Sequence, residues 1–272
     1  MTEQDYAFVT KLLLDRSAIA LEQGKEYLLE ARLGPVAKRH GLASVAEFID
    51  KLRKPGAQQL TTELVEAMVT TETSFFRDIH PFETLRRTVI PELIRTRENE
   101  KRLNIWCAAS SSGQEPYTLA IILREYFPEL ARWDIKFLAT DISNGMLERC
   151  RAGCYSQIEV NRGLPTALLL KYFTQEGAKW QLDEKVRSMI EFRRMNLAEP
   201  WPSMPQMDLV FLRNVMIYFD VETKKTILRR MSRVLRKDGY LILGGAETTF
   251  ALDDSYQRVE NLKAGFYRLV DK

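Results

Sequence analysis

From Leu103 onward the chain alternates short apolar runs with amphipathic stretches: LNIWCAA, then EPYTLAIILREYF, then IKFLATDI, then a helical pattern around Met146 to Arg151. Few folds accept that alternation. Strands separated by helices read as successive βαβ units, and these build a parallel sheet. Downstream, MIEFRRMNL, DLVFLRNVMIYF and DGYLILGG supply three more strands, with a helix around Lys224 to Leu235, and GFYRLV reads as a final edge strand. The expected fold of this part is a doubly wound, Rossmann-like α/β domain. Between Tyr155 and Glu191 the turn residues and alternating apolar positions of TQEGAKWQLDEKV predict a small antiparallel β-subdomain inserted at about 155–191.

The first 90 or so residues carry the other periodicity. Phe8, Leu12, Leu13, Ile19, Val36, Val45, Phe48, Ile49 and Leu52 recur at helical spacing, and Gly24, Gly34, Gly41 and Pro55-Gly56 read as breaks. Ser44 to Glu47 fits a capping box at the start of one of these helices. The charge-dense stretch PELIRTRENEKR fits an exposed helix running into a linker. The expected organisation is therefore a helical domain over 1–90, a linker over 91–102 and a ligand-binding domain over 103–272.

Composition narrows the chemistry. Forty basic and 37 acidic side chains leave a net charge of +3, too little to imply nucleic-acid binding. No apolar run approaches the roughly 18 residues needed to cross a bilayer, so no direct membrane insertion is expected. Three cysteines without a zinc-ribbon spacing read as reduced thiols in a cytoplasmic protein, and Cys150 and Cys154, four apart on an expected helix, read as core packing rather than metal ligands. With two histidines, His40 and His80, a serine–histidine hydrolase or a histidine-rich metal site has little to build on. No metal is expected.

Four blocks carry polar residues that need a reason. In LNIWCAASSSGQEPYTLA a strand ends in small residues, Ala108 to Gly113, and opens directly into a helix, so backbone amides face the carboxyl edge of the sheet where nucleotide-like ligands bind. Gly113 permits close approach there; an ordinary strand-to-helix turn is the alternative. Asp141 ends the second strand, placed to accept ribose hydroxyls or to cap the helix that starts near Ser143. DLVFLRNVMIYF delivers Arg213, Asn214 and Tyr218 at the end of a buried strand, with a carboxylate partner for Arg213 as the alternative role. TTETSFFRD brings Thr71, Thr73 and Arg77 close together, and also fits a capped helix start.

Together these blocks resemble the CheR family, the chemotaxis receptor glutamate O-methyltransferases that use S-adenosylmethionine. TTETSFFRD is similar to the family's Thr-Thr-Asn-x-Thr-x-Phe-Phe-Arg segment, WCAASSSGQEPYTLA to its Ala-Ala-Ser-Ser-Gly-Glu-Glu-Pro-Tyr loop, and ATDIS, MNL and LRNVMIYF to its later motifs. The resemblance spans nearly the whole chain. It implies that Thr71, Thr73, Arg77, Gly113, Glu115, Asp141, Asn196, Leu197, Arg213 and Asn214 surround the cofactor, with Glu115 at the methionine ammonium, Asp141 at the ribose and Asn196 near the adenine. Thr71 stands where the family often has asparagine, and Gln114 where it often has glutamate.

The same resemblance implies the reaction. A receptor glutamate takes the methyl group as a methyl ester, S-adenosylhomocysteine is the product, and the partner is the cytoplasmic domain of a membrane chemoreceptor, with room for a regulatory adaptor protein. A glutamate is ionised near neutrality, its ordinary pKa being about 4.3, so no general base is required. Arg77 and Tyr218 are expected to orient the incoming carboxylate, and Arg32, Lys38 and Arg39 to face acidic substrate helices. The segment Thr174 to Lys179 is shorter than in members that grip a receptor pentapeptide and lacks their Gly-x-Gly turn, so independence from that tether is expected. A non-catalytic sensor or adaptor that binds the cofactor would lack the site residues, and they are present.

Overall fold

The structure is a computed structural model that describes residues 1–21 and 23–270. It divides into two compact units, Met1–Thr70 together with Tyr218–Thr223, and Thr71–Ile217 together with Lys224–Lys272.

The smaller unit is built from α1 (Glu3–Ser17), α2 (Glu26–Arg39), α3 (Val45–Leu52) and α4 (Gln58–Met68). Val9, Leu13, Leu29, Leu33, Phe48, Ile49 and Leu64 are fully buried and form its core. Gly34 does not break the chain, and Pro35 lies inside α2. Burial of Leu33, Val36 and Ala37 on either side of the Gly-Pro pair holds the helix through it, although proline removes one helical hydrogen bond. At α3, Ser44 Oγ accepts from Glu47 N at 3.2 Å, but Glu47 Oε2 reaches past the cap to Ala43 N at 3.0 Å, so the expected box is half formed.

The larger unit opens with α5 (His80–Thr84), a π-helical turn over Leu85–Val89 and α6 (Ile90–Thr96). Then follow β1 (Arg102–Ala108), α7 (Gln114–Tyr126), β2 (Asp134–Asp141) and α8 (Asn144–Ala152). The excursion contains β3 (Cys154–Ser156), α9 (Gln157–Asn161), α10 (Thr166–Tyr172), β4 (Phe173–Glu176), β5 (Lys179–Leu182) and α11 (Glu184–Arg187). The chain ends with β6 (Glu191–Arg194), β7 (Met207–Leu212), α12 (Val221–Val234), β8 (Leu235–Leu243), β9 (Tyr256–Arg258) and β10 (Gly265–Leu269).

Seven strands form one sheet in the order β6-β2-β1-β7-β8-β10-β9, parallel from β6 to β8 and antiparallel beyond. The chain runs outward from β1 to β2 and β6, then returns to the other flank of β1 as β7. The order therefore reverses between β1 and β7, and the crevice at their carboxyl ends is where a Rossmann-like sheet binds its ligand. All six residues of β7 are buried, as in a central parallel strand, and its one charged member, Asp208, is paired with Arg97. β10 is not the edge expected from the sequence, because β9 pairs outside it.

The excursion is a three-stranded antiparallel sheet, β3-β5-β4, in which Glu176 pairs with Lys179 across a two-residue turn. Its side chains join the main core: Phe75, Tyr155 and Phe173 pack edge to face at 5.0–6.3 Å between ring centres. Cys150 lies on α8 and Cys154 on β3, so the two do not share a helix. Among the described residues, no group of three His, Cys, Asp or Glu side chains is placed to hold a metal, and no helix is long and apolar enough to cross a membrane.

Candidate active site

Three loops meet at the carboxyl ends of β1, β2 and β7, and the segment Thr71–Ile79 lies against them. Ser111 Oγ donates to Thr71 O at 2.7 Å, Phe76 N donates to Thr118 Oγ1 at 3.1 Å, and Arg213 Nη2 donates to Arg77 O at 3.2 Å. Thr71 is thus engaged through its backbone, and the side-chain change from asparagine does not enter that bond. Thr73 is half-buried on the same segment. The Arg77 guanidinium donates to Glu72 O at 3.0 Å through Nη1.

Arg213 is the hub. Its side chain is 1% exposed, Nη1 stands 2.6 Å from Glu115 Oε2, and Nη2 stands 2.8 Å from Asp78 Oδ2. Its guanidinium also lies over Phe82, 5.7 Å from the ring centre, and Nε is buried with no hydrogen-bond partner. The carboxylate pairing weighed from the sequence is real and double. Burial pushes the Glu115 carboxyl above the usual glutamate range, against the opposing pull of Arg213. Among the described residues Arg213 is the one hydrogen-bond partner of Glu115, through Oε2, which leaves Oε1 as an acceptor.

Asp141 is also buried and ties two loops together: Oδ2 accepts from Ser111 N at 2.7 Å and Oδ1 from Ser143 N at 3.0 Å. The cap of α8 is Ser143, whose Oγ accepts from Met146 N at 3.2 Å. Asp141 O also accepts from Met195 N at 2.9 Å, which brings Asn196 and Leu197 beside it. Asn196 Oδ1 accepts from Ala198 N at 3.0 Å, and Leu197 is buried.

Gly113 is needed from within. Its φ is 95°, and a Cβ there would meet Cys150 Sγ, Tyr117 Cε2 and Tyr155 Oη, each at 3.1 Å. The crowding comes from the core and not from the crevice. Gln114 is buried and accepts from Ser112 Oγ at 2.8 Å, an internal brace.

Sequence reasoning missed Asp78 and Glu247. Glu247 accepts four backbone N–H groups, from Asn214 and Gly244 at 2.7 Å, Met216 at 2.8 Å and Val215 at 3.0 Å. Nothing in the string GGAETTF marks that role, since three of the four donors lie 31 to 33 residues upstream. Backbone conformation does flag the region: among the described residues, Phe76, Asp78, Ile79, Ala109, Ser111 and Asn214 make six of the ten non-glycine residues with positive φ. Such conformations cost of order 1–3 kcal/mol each and concentrate at functional sites.

Four expected residues belong to the smaller unit. Tyr218 ends a 3₁₀ turn over Met216–Tyr218. Arg32 is tied down, its Nη1 donating to Met68 O at 2.5 Å and Nη2 to Thr70 Oγ1 at 3.3 Å. Lys38 is exposed, and Arg39 stands 3.8 Å from Glu63.

A largely parallel sheet with a strand-order reversal, with Glu115 at the start of α7 and Asp141 at the end of β2, defines a Rossmann-like cofactor-binding domain. Residues 71–264 match the family described as "CheR methyltransferase, SAM binding domain", and residues 4–69 match "CheR methyltransferase, all-alpha domain". The chain is an S-adenosylmethionine-dependent methyltransferase, and it belongs to the CheR methyltransferase family. It is similar to chemotaxis protein methyltransferase Cher2 of Pseudomonas putida, 38% identical over 89% of each chain. Chemotaxis protein methyltransferase 1 of Pseudomonas aeruginosa is 37% identical over 97% of each chain. The Borreliella burgdorferi chemotaxis protein methyltransferase is 35% identical over 91% of this chain and 89% of its own.

The donor set fits the cofactor. Its amino-acid end carries an ammonium and a carboxylate, and its other end a ribose and adenine. Glu115 Oε1 is an acceptor suited to the cation, and Asp141 sets a second buried carboxylate at the end of the neighbouring strand.

Proposed function

We propose that this enzyme methylates glutamate side chains on the cytoplasmic domain of chemoreceptors, acting in the cytoplasm as part of chemotactic adaptation. The observation that carries this reading is a crevice built of paired carboxylates and arginines. The titratable groups at its centre are Glu115, Asp78, Asp141 and two arginines, and among the described residues Arg213 pairs with Glu115 and Asp78. An acceptor already ionised at neutral pH suits such a site.

When bound, S-adenosylmethionine supplies a methyl group on a sulfonium; the carbon–sulfur bond breaks as a carboxylate oxygen forms its bond, leaving a methyl ester and S-adenosylhomocysteine. In this reading Glu115 holds the ammonium and Asp141 the ribose hydroxyls, with Asn196 and Leu197 flanking the adenine. Thr71, Thr73, Gly113 and Asn214 line the remainder. Arg77, whose Nη1 reaches only a backbone carbonyl, keeps donors for a carboxylate and orients it through its planar fork. Tyr218 shares that task as a hydroxyl donor. Positioning and exclusion of water then carry the rate, because the reaction brings two opposite charges together and cancels both.

Substrate docking falls to the basic side of α2. Lys38 and Arg39 are its exposed cations, whereas Arg32 contributes by bracing the end of α4. The two-residue turn between β4 and β5 leaves little reach for gripping a tether, which supports activity on receptors without a terminal pentapeptide. A regulatory adaptor protein remains among the partners this reading allows.

The test is transfer of labelled methyl from S-adenosylmethionine to chemoreceptor-containing membranes, followed by mild alkali. Label released as methanol supports a carboxyl methyl ester, and alkali-stable label sinks the glutamate assignment. Calorimetry with a receptor pentapeptide tests the tether: measurable binding overturns independence.

A further inference from the structure

We infer that Glu247 is a positioning residue of the methyl-transfer site, a carboxylate that touches no ligand and sets where Arg213 and Asn214 stand. The inference rests on the reading that Glu115 holds the ammonium at the amino-acid end of the cofactor, with Arg213 paired to it at 2.6 Å.

The argument begins with backbone polarity. Asn214, Val215 and Met216 follow the buried strand β7, and Asn214 sits at φ 56°. A left-handed residue followed by further turn residues points successive N–H groups inward and makes a concavity that binds anions. Here the anion is the chain's own. Glu247 Oε2 accepts from Asn214 N and Gly244 N, both at 2.7 Å, while Oε1 accepts from Met216 N at 2.8 Å and Val215 N at 3.0 Å. Glu247 is itself buried, 8% exposed. Both oxygens are fully engaged by amides of two loops, one after β7 and one after β8.

The packing confirms how little freedom remains. A Cβ on Gly244 would stand 2.7 Å from Glu247 Oε2, 2.8 Å from Asn214 Nδ2 and 3.0 Å from Asn214 N. The carboxylate and the Asn214 side-chain amide therefore lie directly on the Gly244 backbone. Asn214 is held in a conformation that asparagine tolerates but does not prefer. Without the carboxylate, three successive N–H groups would lose their acceptor, that of Met216 in a buried setting, and the peptide would relax toward a right-handed conformation. That rotation would carry Asn214 off Gly244 and pull on Arg213, the adjacent residue, whose guanidinium is fixed between Glu115 and Asp78. Glu247 thus acts on the site through two neighbours in sequence, from a position 33 residues beyond Asn214.

Glutamine is the informative replacement. It has the same shape, yet one terminal atom becomes an NH₂ that faces two N–H donors and cannot accept from them. The experiment compares S-adenosylhomocysteine with 5′-methylthioadenosine, which keeps the nucleoside and lacks the amino-acid end. In Glu247→Gln, calorimetry should show S-adenosylhomocysteine affinity reduced about tenfold, with methylthioadenosine affinity changed less than about twofold. The methyl-transfer kcat should fall by about 10²-fold. A general loss of structure would lower both affinities alike, and that result, or no change in either, overturns the inference.

Gly244→Ala gives a second route if Glu247→Gln does not fold, because it keeps the carboxylate and displaces it; the same selective loss is expected. Glu115→Gln run in parallel separates the two levels. If it weakens S-adenosylhomocysteine and neither Glu247→Gln nor Gly244→Ala does, the inference alone fails. If Glu115→Gln leaves S-adenosylhomocysteine binding intact, the assignment of that end of the site fails and the inference falls with it.

Discussion

Arg213 Nη1 stands 2.6 Å from Glu115 Oε2, joining the end of β7 to the first turn of α7, with the two side chains only 1% and 12% exposed. Removing one member of such a pair leaves the other charge buried and uncompensated, which destabilises by about 3–5 kcal/mol. Arg213→Ala should therefore lower the thermal unfolding midpoint markedly and abolish S-adenosylhomocysteine binding, as read by differential scanning and isothermal calorimetry. An unchanged midpoint would mean the pair is solvated in solution.

The same pair sets an acid limit. Burial raises the Glu115 carboxyl, with Glu247 adding to the rise and Arg213 and Arg77 opposing it. Because the folded pKa lies above the unfolded one, the folded protein takes up this proton first. As pH falls through the window just above about 4.3, Glu115 favours the folded state while losing the charge that holds an ammonium. Affinity for S-adenosylhomocysteine should weaken in that window, and the acid limb should be absent from Glu115→Gln. A limb of the same size in the variant would assign it elsewhere.

At the opposite ends of the strands, Arg97 joins Asp208 at 2.7 Å and Asp238 at 2.6 Å, and Asp208 Oδ2 also accepts from Asn104 N at 2.8 Å. Asp208 sits at the irregularity in the β7–β8 register and is 1% exposed. Asp208→Ala should destabilise by about 3–5 kcal/mol in urea unfolding and leave S-adenosylhomocysteine affinity unchanged. The hydrogen bond from Arg97 holds the Asp238 carboxyl below its usual range. Its stabilising contribution is present above about 3.9 and fades as pH falls through the lower folded value, so Asp238→Asn should flatten the acid end of the stability profile.

Gly113→Ala should destabilise by about 1–2 kcal/mol, since the left-handed conformation penalises a Cβ. The added methyl also meets three core atoms at 3.1 Å. Thermal denaturation checks this, and full stability would show that Tyr117 and Tyr155 give way.

What was legible in the sequence is what local chemistry encodes. The strand–helix alternation from Leu103, the ends of β1, β2 and β7 and the hairpin around Gly177 could all be read from periodicity and turn residues. Gly34-Pro35 misled because tertiary burial of Leu33 and Val36 outweighs a local breaker. Cys154–Ser156 is too short for alternation to register, and its strand exists because Trp180 and its neighbours on β5 supply the partner. β9 hid for the same reason, which moved the sheet edge. Asp78 and Glu247 were invisible because their partners are remote: Arg213 for the one, and three peptide N–H groups after β7 for the other. A carboxylate bound by backbone leaves no pattern of side chains to find.

The positive-φ residues of the crevice bear on how the enzyme spends time between turnovers. Phe76, Asp78, Ala109, Ser111 and Asn214 already hold unfavourable conformations within an ordered frame. A floppy loop would have to be ordered anew by every substrate it met, and each encounter would lose affinity to that ordering. Here the ordering is done once, when the chain folds. A ligand entering such a crevice meets backbone angles already set by the fold.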